Sequence, residues 1–191
     1  SILCADFHKW ATEYDGPKFN FVHCDFPYGI EFNKGTGASA GQWTAPATKQ
    51  AGGYDDAPDV YWRLLATLLS HRGKLLDSSA HIMFWFSQNH LEKSKKMILA
   101  VWPDAVIQSH LMIWSFPDTR GLVPDPLRYG RRNYETALLI TIGDRKVVAP
   151  QPLACSIAKS GTNTIHRSQK PIEVLTRFFQ MFVDSSTRML D

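Results

Sequence analysis

Between residues 58 and 72 the apolar positions Tyr61, Leu64, Leu65, Leu68 and Leu69 return at helical spacing. Asp55 or Asp56 stands ready to cap that helix, Pro58 suits its first turn and Gly73 its end. A second helix is predicted from Asn89 to Trp102, stopped by Pro103. A third runs from Pro171 to about Val183, with Ile172, Leu175, Phe178, Phe179 and Phe182 on one face. Runs rich in β-branched and aromatic residues, without helical periodicity, read as strands at 19–25, 81–87, 105–116 and 134–143. Several are apolar on both faces, as strands covered by helices must be. Strand, helix, strand, helix and then two consecutive strands predict a mixed α/β sheet with helices on both faces and an antiparallel hairpin at one edge.

Three stretches between these elements read as loops: 33–57, where Gly35, Gly37, Gly41, Gly52 and Gly53 stand among small polar residues, 117–133 and 144–168. Loops of that length in a compact domain are usually functional or mobile. Gly35-x-Gly37-x-x-x-Gly41 is not followed by a helical pattern, so a mobile lid is a better reading than a phosphate cradle. At 191 residues and 44% apolar content the chain fits one domain with a packed core. It shows no span-length apolar run and no basic-then-apolar leader, which predicts a soluble, cytoplasmic protein with no membrane partner. Cys4, Cys24 and Cys155 form no Cys-x-x-Cys pair and read as reduced core thiols, and the seven histidines lack metal-site spacing. A net charge of +3 permits a nucleic-acid partner, and Arg128-Tyr129-Gly130-Arg131-Arg132 is the densest basic cluster.

The most informative chemistry lies where the first long strand breaks at Asp25-Phe26-Pro27-Tyr28. In an open α/β sheet the crevice beyond the carboxyl ends of the strands is where ligands bind. Pro27 has no N–H and holds Phe26 extended, so carbonyls at the turn can accept from a ligand. Asp25 adds a carboxylate acceptor and Tyr28 a flat face. An amino group on a planar ring would be satisfied by that set, and holding its hydrogens makes its nitrogen a better nucleophile.

At this point the chain resembles the amino-methyltransferases of DNA, whose Asp/Asn/Ser-Pro-Pro-Tyr motif grips the target base at a strand end; here Phe26 replaces the first Pro. Ile2-Leu3-Cys4-Ala5-Asp6-Phe7 resembles the family's short strand ending in Gly-Asp, with Ala5 for Gly. Asn133-Tyr134-Glu135 resembles the edge-hairpin motif flanking the flipped base, and His166-Arg167-Ser168-Gln169-Lys170-Pro171 the element before the cofactor strand. Thr187-Arg188-Met189-Leu190-Asp191 matches the start of that strand, and the glycine loop that follows it in the family lies past residue 191. Catalytic motif first and cofactor motif last is the permuted order of the family's β-type group. With a first residue other than Met, this reads as a single methyltransferase catalytic domain within a longer chain.

The resemblance implies a Rossmann-like methyltransferase fold, S-adenosylmethionine as cofactor and double-stranded DNA as partner. By the same resemblance Asp25, Phe26, Pro27 and Tyr28 would hold the base, with adenine N6 favoured by an Asp in the first position. Asp6, Asp25, His166, Lys170, Pro171 and Asp191 would form the cofactor side. Arg128, Arg131, Arg132 and Tyr134 would lie against DNA, and 144–168 holds a short target-recognition segment. The alternatives are a catalytically silent nucleic-acid-binding module of the same fold, and a cytosine-N4 or RNA methyltransferase. Phe84, Trp85 and Phe86 read as core, and His23 and Cys24 as packed in the sheet.

Overall fold

The computed structural model of the chain describes residues 3–29, 56–117, 127–128, 130, 132–149, 154–159 and 169–191. In chain order its elements are α1 (Phe7–Glu13), β1 (Phe19–Cys24), α2 (Pro58–Ser70), α3 (Arg72–Leu75), β2 (Leu76–Phe86), α4 (Leu91–Val101), β3 (Val106–Ile107), β4 (Met112–Ser115), β5 (Tyr134–Ile142), β6 (Cys155–Ile157), α5 (Ile172–Phe179) and β7 (Met189–Leu190), with a 3-10 turn at Gln88–His90 ahead of α4. The strands form one mixed sheet in the order β6-β4-β5-β2-β1-β7, with β3 also on β5. β2, β1 and β7 run parallel, and β5 is antiparallel to β2.

Alternation along β1 divides the core. Val22 and Cys24 join Tyr61, Leu65, Leu68 and Ile98 on the side covered by α1, α2 and α4. Phe21 joins Met83, Trp85, Val174 and Phe178 on the side covered by α5. Helices therefore lie on both faces, which is why β1 after Phe19 and the second half of β2 are buried throughout. Phe84, Trp85 and Phe86 are core, as their pattern implies, and His23 and Cys24 are buried in the sheet. Burial pushes the Cys24 thiol up, and the nearby Asp191 and Asp25 carboxylates add to that. Cys4 and Cys155 are exposed, so they are not core thiols. No helix among the described residues is long and apolar enough to cross a membrane.

The structure corrects several expectations. The strand expected over 105–116 is two short ones: Ile107 faces Ile140 and Met112 faces Ala137, so five steps along one strand match three along the other, and the polar Gln108-Ser109-His110 absorbs the excess. The hairpin does not form the sheet edge, because β6, inside the expected 144–168 loop, pairs parallel to β4 outside it. Residues 3–6 are in no strand; Asp6 instead caps α1, its carboxylate accepting from the N–H of His8 at 2.8 Å and of Lys9 at 3.2 Å. Helix α2 starts after Ala57 without a side-chain cap, and Asp56 turns elsewhere; Gly73 falls inside α3 rather than ending α2. In α5 Ile172 is 75% exposed, and the packed face is carried by Val174 and Phe178.

His81 in β2 is 3% exposed, with the Phe182 ring 5.0 Å away and its Nδ1 unpartnered. Burial, reinforced by the Arg145 charge, lowers its pKa from 6.5 to about 4. The folded state thus holds it neutral while the unfolded chain takes up a proton. Its contribution is complete above pH 6.5 and is lost as pH falls towards 4, amounting to roughly 3 kcal/mol in all. Chemical denaturation between pH 4 and 7 should show that loss in the wild type, and His81→Leu should flatten it by about that amount.

Candidate active site

Residue 25 is where β1 ends, so the Asp25 side chain leaves the sheet at the carboxyl ends of the parallel strands. The turn that follows is fixed from both sides. Phe26 packs into the core, its ring 5.8 Å from Phe7 of α1 and 5.9 Å from Phe84 of β2. At the far end Gly29 adopts φ +62°, and a Cβ there would lie 3.0 Å from the Pro58 Cα and 3.0 Å from the Tyr61 Cβ, so only glycine fits. Its N–H donates to the buried Asp56 Oδ1 at 2.7 Å, and its carbonyl lies 3.3 Å from His90 Nε2. Asp56, expected as a helix cap, instead pins the turn to the start of α2.

Lys170, one residue before the Pro171 that caps α5, is the centre of the site. Its side chain is 3% exposed, and its ammonium donates to Asp25 Oδ1 at 2.9 Å, Asp25 Oδ2 at 3.0 Å and the Tyr28 hydroxyl at 3.0 Å. Glu135 Oε2 lies 3.0 Å from the same nitrogen and accepts from the Tyr28 hydroxyl at 2.9 Å. The ammonium also lies 4.8 Å from the Trp85 ring centroid and 5.3 Å from that of Tyr28. Burial works against the charge on Lys170, but the carboxylates of Asp25 and Glu135 outweigh it and hold its pKa above the ordinary lysine value. Burial, then the charges of Glu135 and Asp25, push the Tyr28 hydroxyl up, so it stays a donor. Three chain segments far apart in sequence are thereby tied through one nitrogen.

A second connection lies beside it. His23 Nδ1 is 2.6 Å from Asp191 Oδ1, and the Trp85 indole N–H donates to His23 Nε2 at 2.9 Å. Because β7 pairs with β1 in parallel, Asp191 emerges at the same end of the sheet as Asp25. Asp6 reaches this region through its neighbour Phe7, which touches Phe26. The backbone N–H of Lys9, with that of His8, keeps the exposed Asp6 carboxyl below its usual range.

Of the residues singled out in the sequence, Asp25, Tyr28, Lys170 and Pro171 stand together, with Asp6 and Asp191 on the flanking elements. Arg132 is half-buried and close enough to Tyr28 that its charge opposes the rise in the phenol. Tyr134, 37% exposed, begins β5 next to Glu135. Arg128 is exposed at 127–128. His166, Arg131, Tyr129, residues 30–55 with the five loop glycines, and about half of the expected recognition segment (150–153 and 160–168) lie outside the described residues. Glu135, His23 and Trp85 are site residues that sequence reasoning missed; the signal for Glu135 was its place in Asn133-Tyr134-Glu135 at the head of a strand.

No family model matches the chain, and no curated protein matches it in sequence. Among solved structures it is similar to M1.HpyAVI, with a TM-score of 0.64 and 13% identity over 98% of this chain and 77% of that one. It is likewise similar to the M1.HpyAVI-SAM complex, with a TM-score of 0.65 and 14% identity over 98% of this chain and 79% of that one. The shared property at this identity is the fold.

Two substitutions test how the site is built. Gly29→Ala should destabilise by about 2 kcal/mol, since it adds left-handed strain to a tight contact. Lys170→Met should cost roughly 3 kcal/mol, because it leaves Asp25 and Glu135 facing each other without their cation. Urea denaturation of each variant against the wild type measures both.

Proposed function

We propose that this chain is the catalytic domain of a DNA methyltransferase that transfers a methyl group from S-adenosylmethionine to the exocyclic amine of a flipped base, adenine N6 in particular. The observation that carries this reading is the Asp25-Tyr28 pair held on Lys170 at the carboxyl end of β1. An enzyme that acts on a base must take it out of the stack and hold it. Asp25 accepts an N–H of the amine, and the carbonyl at Phe26 or Pro27 accepts the other. Tyr28 offers its ring face, its tilt fixed because its hydroxyl is bonded to Glu135 and Lys170. Such preorganisation means little has to reorient once the base has entered.

The chain's residues suit S-adenosylmethionine, which supplies an electrophilic methyl group when bound. Asp191 and Asp6 present exposed carboxylates for its N–H and O–H donors, and Lys170-Pro171, tied to Asp25 at the strand end, would shape its binding corner. Among the described residues, the three carboxylates of Asp25, Glu135 and Asp191 stand against the Lys170 ammonium and the nearby Arg132, a balance that favours a cationic sulfonium. Likeness in fold to a protein solved with SAM agrees with that assignment. Arg132, whose charge reaches Tyr28, and the exposed Tyr134 and Arg128 would meet the DNA backbone in this reading, as would Arg131 by the sequence resemblance. By the sequence resemblance alone, His166 would join the cofactor side.

The silent-module alternative draws on Phe26 in place of proline, yet the packing of Phe26 on Phe7 and Phe84 gives the turn the anchor a second proline would otherwise provide. Methyl incorporation from radiolabelled S-adenosylmethionine into unmethylated duplex DNA, followed by nucleoside analysis, decides between them. Incorporation by the full-length protein should fall at least about a hundredfold in Asp25→Ala, with N6-methyladenine as the product. Equal background incorporation by wild type and variant sinks the enzyme reading, and N4-methylcytosine as product sinks the choice of base.

A further inference from the structure

The Trp85-His23-Asp191 connection has a direction that hydrogen-bond chemistry dictates. Indole N–H is a donor only, so His23 Nε2, 2.9 Å from it, must present its lone pair. In a neutral imidazole the proton then sits on Nδ1 and is donated to Asp191 Oδ1, and the 2.6 Å separation is that of a short, charge-assisted bond. The ring has little freedom to choose otherwise. His23 is 5% exposed, Trp85 is fully buried, and Phe179 of α5 meets the imidazole edge-on with centroids 5.1 Å apart. The side chain of Asp191, by contrast, is 66% exposed.

We propose that His23, locked as its Nδ1–H tautomer by the Trp85 indole, is a positioning residue that aims the Asp191 carboxylate at the cofactor. The inference rests on the proposed function. A neutral N–H donor fixes the carboxylate's orientation without cancelling its charge, as a lysine or arginine partner would. Asp191 therefore meets the donors of a cationic ligand at full negative charge and in one rotamer. Trp85 links this half of the site to the other, since its ring carries the Lys170 ammonium while its N–H holds His23.

Calorimetric titration of S-adenosylmethionine into the full-length protein, alongside NMR of the protein labelled with 15N-histidine, tests this. His23→Phe keeps the ring packed on Phe179 but loses both bonds, and should weaken binding roughly tenfold, with little change in turnover at saturating cofactor. His23→Asn, whose amide nitrogen falls near the Nδ1 position, should recover most of that loss. The NMR spectrum should show His23 protonated at Nδ1 and bare at Nε2, and Asp191→Asn should shift the Nδ1 proton. An Nε2–H tautomer, or His23→Phe binding as tightly as wild type, overturns the positioning role while leaving the methyltransferase reading intact. A wild-type protein that binds no S-adenosylmethionine overturns both. Should His23→Phe fail to fold, the tautomer and the Asp191→Asn shift decide the matter in its place.

Discussion

The buried ammonium of Lys170 is the constraint around which the candidate site is arranged. Taking a lysine charge out of water is unfavourable by several kcal/mol unless it is met by well-placed acceptors. Asp25 and Glu135 meet it here, and the Tyr28 hydroxyl takes part of the remaining donor capacity. The end of β1, the start of β5 and the residue before α5 must therefore come to one point. Neither the register of the sheet nor the placement of α5 alone would demand this, since Val174 and Phe178 could bury their apolar area against the sheet with a small shift.

Much of this architecture was legible in the sequence. Tyr61, Leu65, Leu68 and Leu69 do form the buried face of α2, and β1 and β5 lie within a residue of where their β-branched and aromatic runs place them. What escaped reading was local competition. Phe7, Trp10, Ala11 and Tyr14 stand at helical spacing behind a capping Asp6, but the segment is short, and its likeness to a strand obscured α1. Asp56 has a side chain able to cap a helix, and a backbone N–H at Gly29 outcompetes that role. The strand over 105–116 divides at the polar residues 108–110, where Gln108 still donates its N–H to the Leu139 carbonyl at 2.9 Å while Ser109 and His110 fall between the two registers.

The site was legible only in part for a different reason. Asp25 and Tyr28 announce themselves by their turn, and Lys170 by the proline and amphipathic helix after it. Glu135, His23 and Trp85 look like ordinary strand residues, because alternation tells which face a side chain takes and not which partner it meets there. His23 is two residues before Asp25 on the same side of β1, and that spacing was the available hint. A histidine in such a run is usually a packed one, and it is indeed packed; its hydrogen bonds become visible only once β2 and β7 flank it.

Charge separates what this crevice can hold from what its surroundings can. The chain as a whole carries +3, yet within the site Asp25, Glu135 and Asp191 outnumber Lys170, and that lysine's donors are spent on its neighbours. Among the described residues, a phosphate placed there would face carboxylates and a lysine already committed to its neighbours. A neutral ring bearing an amino group brings hydrogens to Asp25, and a sulfonium brings positive charge to a negative corner. In the proposed reading Arg128 and Arg132, outside the Lys170 cluster, meet the polyanion instead. The proposed reading thus divides recognition by sign: the basic rim for the nucleic-acid backbone, the acidic crevice for the base and the methyl donor.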